Sequence, residues 1–196
     1  MINVRTVTGG LLDVNTYILE SDGGCLIVDP GTGFAHIQET TSGKPIQAVL
    51  LTHGHIDHII GLGPFIEQKI PIYIHEKDRE MLSDPEKNLS VEFGRGITFD
   101  VDVHVLRDGE HLQLIGEDIE VISTPGHTPG SVCFRTGNIL ISGDTLFAGS
   151  YGRTDFPGGS MRQMVDSLCR LKALPGETLV YPGHGRTTTI AWEQRW

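Results

Sequence analysis

The sequence predicts a mixed α/β fold for a single domain spanning residues 1–196. Short runs of β-branched and aromatic residues alternate with helical patterns along the whole chain, and Gly or Pro residues separate them. A length of 196 residues suffices for one domain with a sizeable core and is short for two. Hydrophobic residues make up 38% and charged residues 20%, which is ordinary for a globular protein. The pattern is compatible with either α/β or α+β organisation.

Eight runs bounded by Gly, Pro, Asn or Asp predict strands, because β-branched side chains suit a pleated backbone. They are residues 15–20, 25–30, 48–52, 70–75, 119–124, 131–136, 138–143 and 178–182. The sixth and seventh runs meet at Gly137-Asn138, a dipeptide typical of a tight hairpin turn.

Helical patterns are fewer. Residues 57–69 carry apolar side chains compatible with one helical face, and residues 160–174 show a clearer stripe that Ser160 can cap. The stripe of the second helix comprises Met161, Met164, Val165, Leu168 and Leu171. Residues 34–41 and 76–83 are weaker helix candidates.

The charge and the cysteines exclude several classes of protein. A formal charge of −10, from 15 basic and 25 acidic residues, argues against a protein that binds the phosphate backbone of nucleic acids. Cys25, Cys133 and Cys169 are far apart and odd in number, so they imply no disulfide framework and are expected to be small buried side chains. We see no signal-peptide stretch and no run of the roughly 18 apolar residues that a membrane span needs. We therefore expect a cytoplasmic protein without membrane association.

Four predicted strands run directly into side chains that bind metal ions. The runs AVLLT, IEVISTPG, NILISG and TLVYPG lead into His53, His127, Asp144 and His184. In open α/β sheets, ligand sites lie beyond the carboxyl ends of strands. The simplest inference is that these four side chains converge on one edge of the fold.

The segment THGHIDH, residues 52–58, presents ligands in two directions. His53 and His55 are two residues apart, so they point the same way in an extended segment and can hold one ion. Asp57 and His58 fall where a helix should begin, and His58 is directed differently. This arrangement suits two neighbouring metal ions better than one.

Seven side chains are candidate metal ligands, and none of them is a cysteine. They are His53, His55, Asp57, His58, His127, Asp144 and His184. Seven are too many for one tetrahedral ion, whereas two divalent ions with open positions can use them, and zinc, iron and manganese all accept imidazole and carboxylate. Asp144 is the candidate bridge, because it stands apart from the cluster on its own strand end and has two oxygens.

Two ions about 3.5–4 Å apart can hold a hydroxide, lower the pKa of water toward about 7 and polarise a carbonyl. The sequence therefore predicts metal-assisted hydrolysis of a small-molecule substrate, with Asp57 and Asp144 as catalytic residues. The other four histidines are expected to be surface or structural residues. They are His36, His75, His104 and His111. Of these, His75 ends a predicted strand, as some of the candidate ligands do.

The order of THGHIDH, PGHTPGS, SGDTLF and PGHG resembles that of the metallo-β-lactamase superfamily, over nearly the whole chain. The resemblance implies an αββα sandwich of two packed mixed sheets with helices on the outer faces. It also implies that His53, His55 and His127 bind one metal. Asp57, His58 and His184 would bind the second, with Asp144 bridging the two.

Within that superfamily the sequence looks most like the glyoxalase II branch, the hydroxyacylglutathione hydrolases. The closer match lies in VNTYIL, LIVDPG and the segment 143–160. It implies that Arg153 contacts substrate, where a solvated loop arginine is the alternative. It also implies that Asp29 supports the metal ligands, where a turn-forming residue is the alternative. The sequence continues for 12 residues after His184, so we expect no counterpart of the glutathione-binding helical domain of glyoxalase II, and the resemblance is better to the short single-domain proteins.

The expected substrate is therefore a thioester, with glutathione as one candidate for its thiol part. A persulfide dioxygenase with one iron is a second candidate, since that branch also carries GRTDF. Lactonase or β-lactamase activity would use the same hydroxide. The negative net charge argues against a nuclease. A metal-binding module without enzymatic activity is the remaining alternative. The segment 84–107 is a candidate lid or interface, and the sequence does not indicate an oligomeric state.

Overall fold

The computed structural model describes residues 2–195, in which two six-stranded β-sheets pack face to face and helices cover both outer faces. One core lies between the sheets, where Leu26 and Leu50 of the first sheet meet Val121 and Phe134 of the second. A second core lies between the first sheet and its helices, and a third lies between the second sheet and its helices. The predicted sandwich of two mixed sheets is confirmed.

The first sheet is antiparallel at one edge and parallel at the other. Its strands, in spatial order, are β1 Asn3–Gly9, β2 Val14–Ser21, β3 Gly24–Val28, β4 Ile46–Leu50, β5 Ile72–His75 and β6 His104–Leu106. Strands β1 to β3 pair antiparallel, and β3 to β6 pair parallel. Every residue of β3 is buried, because the second sheet covers one face and helices cover the other.

The second sheet runs in the order β14-β13-β10-β9-β8-β7. Its strands are β7 His111–Leu114, β8 Glu117–Ser123, β9 Val132–Thr136, β10 Ile139–Gly143, β13 Leu179–Pro182 and β14 Thr188–Thr189. Strands β10 and β13 pair parallel, and the remaining pairs are antiparallel. A separate ribbon joins β11 Leu146–Phe147 to β12 Ser150–Tyr151.

All eight predicted strands are present, with ends within two residues of those expected. The hairpin between β9 and β10 turns at Gly137, whose φ of 57° suits the predicted tight turn. Sequence analysis missed β1, β6, β7 and the three two-residue strands. Strand β1 is an edge strand in which no residue is fully buried, and β6 and β7 are short with exposed polar residues, so none shows an apolar run.

Among the described residues, the helices are α1 Phe34–Thr40, α2 Ile56–Ile59, α3 Gly63–Glu67, α4 Met161–Lys172 and α5 Ile190–Glu193. The 3-10 helices comprise Leu11–Asp13, Glu76–Leu82 and Ser90–Phe93. The single helix predicted over 57–69 is wrong, since the segment forms α2 and α3. Gly61 donates its N–H to the carbonyl of Pro30, 2.8 Å away, which removes the bond a continuing helix would need.

Helix α4 begins where the sequence predicts, and the Ser160 side chain accepts from the Gln163 N–H. Its predicted stripe is partly wrong. Met164, Leu168 and Leu171 are buried, but Met161 and Val165 are about half exposed. Val165 follows Met164 and so lies about 100° around the helix from the buried face, whereas Ser167 takes a buried position.

The cysteines differ in their surroundings. Cys25 and Cys133 are buried free thiols as expected, but Cys169 lies on the outer side of α4 and is exposed, which corrects its expected burial. Within the described part of the chain, no helix has the length and apolar character that a membrane crossing requires.

Candidate metal centre

The carboxyl ends of β4, β8, β10 and β13 meet at one edge of the sandwich, as predicted. The loops that follow them bring all seven predicted ligands into one cluster. Asp57 and the histidines of α2 and its preceding loop are buried, and His184 is the most exposed at 24% of its side chain.

One set of ligands consists of three histidines. One ring nitrogen each from His53, His55 and His127 lies within 4.8 Å of the others. The Nδ1 of His55 and the Nε2 of His127 are only 2.9 Å apart. All three side chains are almost fully buried.

The other set consists of Asp57, His58 and His184. The Nε2 atoms of the two histidines are 3.3 Å apart, and an Asp57 oxygen lies 3.2 Å from that of His184 and 3.6 Å from that of His58. Ligand bonds of about 2.0–2.1 Å in a tetrahedral site place neighbouring ligand atoms about 3.4 Å apart. The three distances therefore fit one divalent ion.

Asp144 lies between the two sets. Its Oδ1 is 3.3 Å from the Nε2 of His58, and its Oδ2 is 3.5 Å from the Nε2 of His127 and 3.6 Å from that of His184. Each set therefore has a carboxylate oxygen of Asp144 at ligand-to-ligand distance, which is the geometry that a bridging carboxylate needs.

Hydrogen bonds to the scaffold fix the orientation of three rings. The Nδ1–H of His127 donates to the Arg153 carbonyl at 2.7 Å, and that of His184 donates to the Leu12 carbonyl at 3.0 Å. His58 donates from Nδ1 to Asp29 at 2.9 Å. Because Nδ1 carries the proton, the Nε2 of each ring is left facing the cluster.

Asp29 ties the first ligand loop to the end of β3. Besides accepting from His58, its carboxylate accepts from the Thr52 N–H at 2.7 Å and from the Thr52 hydroxyl at 2.6 Å. It lies close enough to His53 and His58 to join a metal site. Three hydrogen bonds occupy its oxygens, however, so the contacts favour the supporting position that the resemblance implied.

Two members of the histidine set stay uncharged. Burial, together with neighbouring histidines, lowers the pKa of His53 well below its usual value and that of His55 to about 3. Neutral imidazoles are the form that binds metal.

The mixed set carries opposite charges. Burial acts to lower the pKa of His58, but the carboxylates of Asp57, Asp144 and Asp29 outweigh burial and raise it. The same pairing lowers the pKa of Asp57 and Asp144 against the effect of burial. His184 also has a raised pKa, because Asp57 and Asp144 outweigh its partial burial.

Some buried atoms of the cluster have no hydrogen-bond partner among residues 2–195. They are Nε2 of His53, Nε2 of His55 and Oδ1 of Asp144. A buried polar atom without a partner costs free energy, so these three atoms indicate a place where a further group binds. Imidazole and carboxylate donors at these spacings fit divalent metal ions.

Asp78 supports the cluster and was not found from the sequence. It is fully buried in the 3-10 helix Glu76–Leu82 and accepts from the Gly54 N–H at 3.3 Å, the Thr128 hydroxyl at 2.6 Å and the Gly130 N–H at 2.7 Å. Gly54 separates His53 from His55, and Thr128 follows His127. Asp78 thus joins the two loops that carry the histidine set. An aspartate in a polar helix gives no sequence signal of such contacts.

The segment VNTYIL also has a structural role at the site. The side-chain amide of Asn15 donates to the carbonyls of Pro182 at 3.0 Å and Gly185 at 2.9 Å, and the Tyr17 hydroxyl donates to the Pro182 carbonyl at 2.7 Å. These bonds connect the first sheet to the loop of the second sheet that carries His184.

A pocket of about 760 Å³ opens onto the cluster. Its lining includes His55, Asp57, His127, Asp144 and His184, which places the candidate ligands at its floor. The segment 84–107, expected to be a lid or interface, contributes Glu86, Leu89, Glu92 and Phe93 to the pocket wall.

Arg153 lies in the same pocket, but its guanidinium is engaged within its own loop. It forms two hydrogen bonds with Asp155, at 2.7 and 2.6 Å, and lies 4.0 Å from the centre of the Phe156 ring. The other four histidines lie outside the cluster: His75 accepts from the Lys77 N–H, His104 stacks on Tyr73, His111 pairs with Asp118, and His36 is exposed on α1.

Comparison with known proteins identifies the family and the fold. The model of the metallo-beta-lactamase superfamily matches residues 9–184, which span every ligand of the cluster. This chain belongs to the metallo-β-lactamase superfamily. The superfamily match and the cluster together indicate a metal-dependent hydrolase.

Members of the superfamily match nearly the whole chain. The probable metallo-hydrolase YqgX of Bacillus subtilis is 36% identical over 97% of this chain and 93% of its own length. The crystal structure of the BLEG-1 B3 metallo-beta-lactamase has a TM-score of 0.92 and 34% identity, covering 99% of this chain and 97% of that one. TTHA1623 in a di-iron-bound form has a TM-score of 0.87 and 36% identity, covering 97% of each chain.

The expected likeness to hydroxyacylglutathione hydrolases is also found. The enzyme of that name from Klebsiella pneumoniae is 36% identical over 86% of this chain, but the match covers only 60% of the longer relative.

Proposed function

We propose that this chain is a thioester hydrolase of the glyoxalase II type that uses two divalent metal ions. The observation that carries the proposal is the pair of ligand sets that share Asp144. Seven ligands divided in this way give each of two ions four protein ligands, so water or substrate would take a fifth position.

Each set has its own ligands in this proposal. His53, His55 and His127 would hold one ion, Asp57, His58 and His184 would hold the other, and Asp144 would be shared between them. Zinc is proposed for both ions, with iron or manganese as alternatives, since the same ligand types accept all three. When bound, the ions supply a water of lowered pKa and polarise the substrate carbonyl.

The chain's own groups position the reaction. The Arg153 and Leu12 carbonyls hold His127 and His184 with Nε2 inward, so neither ring can turn away when substrate enters. Asp57 lies beside the open side of the cluster, and one of its oxygens can accept a proton from the attacking water. Phe156 packs edge-on against the His55 ring, with centroids 5.5 Å apart, and limits water access from that side.

A thioester suits this site because its leaving group needs no general acid, and apart from the candidate metal ligands the acidic side chains of the described lining are Glu86 and Glu92, both exposed to solvent. Within residues 2–195, the pocket lining contains no Tyr, Lys or Cys. A thiolate leaves without protonation, whereas an amine or alkoxide leaving group gains much more from an acid. The 36% identity to a hydroxyacylglutathione hydrolase supports the same reaction class.

The test combines metal analysis with hydrolysis of acyl thioesters on one protein sample. We expect about two ions per chain, and cleavage that stops when the metal is removed and resumes when it is restored. Asp144→Asn should lower turnover by more than about 100-fold, since residues that merely support ligands already cost about 10–100-fold. Asp166→Asn, on the exposed side of α4, removes the same charge and should have no effect. Metal-loaded protein that cleaves no thioester in a broad panel would contradict the proposal.

Hydrolysis of a β-lactam is a second candidate, favoured by the TM-score of 0.92 to a protein named as a B3 metallo-beta-lactamase. The same sample assayed with a chromogenic cephalosporin separates the two activities. A persulfide dioxygenase is distinguished by metal content, because that reaction needs a single iron and consumes oxygen.

A further inference from the structure

One part of the pocket wall is acidic. Glu86 and Glu92 both line the pocket, both are exposed to solvent, and the same segment contributes the apolar side chains of Leu89 and Phe93. These four residues come from one short segment, residues 86–93, which we call the acidic wall. Its two carboxylates lie outside the metal cluster and take no part in the reaction proposed above.

Apart from the two metal ions proposed above, whose charge their carboxylate ligands and bound hydroxide partly neutralise, no free cation in the described lining offsets this charge. Among residues 2–195, Arg153 is the one lysine or arginine that lines the pocket, and it pairs with Asp155 in a two-bond geometry. The lysine of the acidic wall, Lys87, lies 2.6 Å from Glu80 and 3.7 Å from Asp84, so its charge is directed away from the pocket. The global charge of −10 acts in the same direction.

The acidic wall is held in place by buried contacts. The side chain of Asn88 is fully buried and donates to the carbonyls of Met81 and Ile97, both at 2.9 Å. The Asn88 carbonyl accepts from the N–H of Ile56, in the ligand segment, at 2.8 Å. These bonds fix the backbone of the acidic wall relative to the segment that carries the metal ligands, so the wall stays at the pocket.

We propose that this pocket selects thioesters whose part beyond the reacting carbonyl is cationic, and that it discriminates against anionic ones such as glutathione thioesters. This inference rests on the proposed hydrolase function and specifies its substrate class. A cation in the pocket would be attracted by the two carboxylates and by the Phe93 ring, because the face of an aromatic ring attracts positive charge. An anion would face both carboxylates without a free arginine or lysine to bind it.

The test compares acetyl thioesters that differ in the charge of the thiol part. Acetylthiocholine is cationic, S-acetyl-N-acetylcysteamine is neutral, and S-acetyl-3-mercaptopropionate and S-acetylglutathione are anionic. With metal-loaded protein, kcat/KM should fall from the cation to the neutral thioester and again to the anions, by at least about threefold for each unit of charge. The differences should shrink in about 0.5 M salt, because screening acts on exposed charges.

A double variant, Glu86→Gln with Glu92→Gln, isolates the acidic wall. It should bring the cationic and anionic thioesters closer together and leave the neutral one unchanged. The matched control is Glu39→Gln with Glu67→Gln, which removes two exposed charges on α1 and α3 that do not line the pocket. The control should retain the wild-type order.

Binding measurements distinguish a failure of this inference from a failure of the proposed hydrolase function. If no thioester is cleaved, the proposed function fails, and titration calorimetry of the uncleaved acetylthiocholine and S-acetyl-3-mercaptopropionate still reads the charge preference. Tighter binding of the cation, lost in the double variant only, supports the inference. Equal or tighter binding of the anion, or an order that the double variant does not change, overturns it.

Discussion

Replacing Asp78 tests whether the histidine set depends on its scaffold. This buried carboxylate accepts three hydrogen bonds from the loops at Gly54 and at Thr128–Gly130. Burial raises its pKa, although the three donors oppose that effect. In Asp78→Asn the shape is kept, but the amide nitrogen cannot accept from the donors that it faces.

The magnitude follows from these three bonds. A hydrogen bond to a charged group contributes about 1.5–3 kcal/mol, and an unsatisfied buried donor costs about 1–3 kcal/mol. Because the amide oxygen of the substituted side chain still accepts at one side, we expect the free energy of unfolding to fall by about 2–4 kcal/mol. That is a large part of the roughly 5–15 kcal/mol typical of a domain, and the chain should still fold.

The assay reads metal stoichiometry and thermal unfolding on the same samples. We expect Asp78→Asn to lower the metal affinity of the histidine set by about 10–100-fold, so that dialysed protein retains close to one ion per chain. The melting temperature should fall by about 5–15 °C. Asp100→Asn, at an exposed position, serves as the control for loss of one charge.

Two results would refute the reasoning. One is an Asp78→Asn protein that keeps two ions with wild-type affinity. The other is a protein that melts lower but loses metal equally from both sets, which would show general loosening instead of a local effect on His53, His55 and His127. Should Asp78→Asn not fold, Thr128→Val removes one of the three bonds and tests the same dependence on a smaller scale.

Three further outcomes follow from the site. Zinc binding to metal-free protein at about pH 7 should release protons and weaken as pH falls, because His58 has a raised pKa and must lose its proton to bind. Calorimetry in two buffers of different ionisation heat measures this proton release. Equal binding heats in the two buffers would contradict the prediction. Gly183→Ala should abolish binding of the second ion, because a Cβ at this position would collide with Asp144 Oδ1. Elemental analysis measures the metal content, and a normal content would show that the loop moves to accommodate the Cβ. Asn15→Ala should lower the free energy of unfolding by about 1–3 kcal/mol, because the carbonyls of the loop 182–185 lose two hydrogen-bond donors. Urea unfolding measures the change, and an unchanged midpoint of unfolding would contradict the prediction.

The sequence predicts the ligands better than their support, and the reason is physical. Histidine and aspartate at the ends of apolar strands are visible as residue types in a local pattern, so all seven members of the cluster could be named as candidate ligands. The contacts of Asp78 join residues that are 24 to 52 positions apart, and only the fold brings them together. Likewise, the pairing of Arg153 with Asp155 depends on the turn between them. Residue types alone did not predict this pairing, so substrate contact remained one interpretation of Arg153.

The fold was predictable wherever a strand is buried on one or both faces, because burial imposes apolar residues. Strand β1 escaped detection since its residues are exposed or half-buried at an edge. The predicted helix over 57–69 failed for a different reason. Its apolar spacing is helical, but the bond from Gly61 to Pro30 replaces a helical bond, and no local pattern reveals a competing partner so distant in the sequence.

The two ligand sets differ in what holds them together when no metal is bound. In the mixed set, His58 and His184 have raised pKa values and Asp57 and Asp144 lowered ones, so opposite charges at 3.2–3.6 Å attract each other. In the histidine set, His53 and His55 are neutral, and its three members contain no carboxylate to attract them. Apart from the 3.5 Å contact between His127 and Asp144, its geometry comes from the scaffold, through Thr52, Asp78 and the Arg153 carbonyl. A substitution in that scaffold should therefore weaken the first ion before the second, whereas low pH should act first on the mixed set.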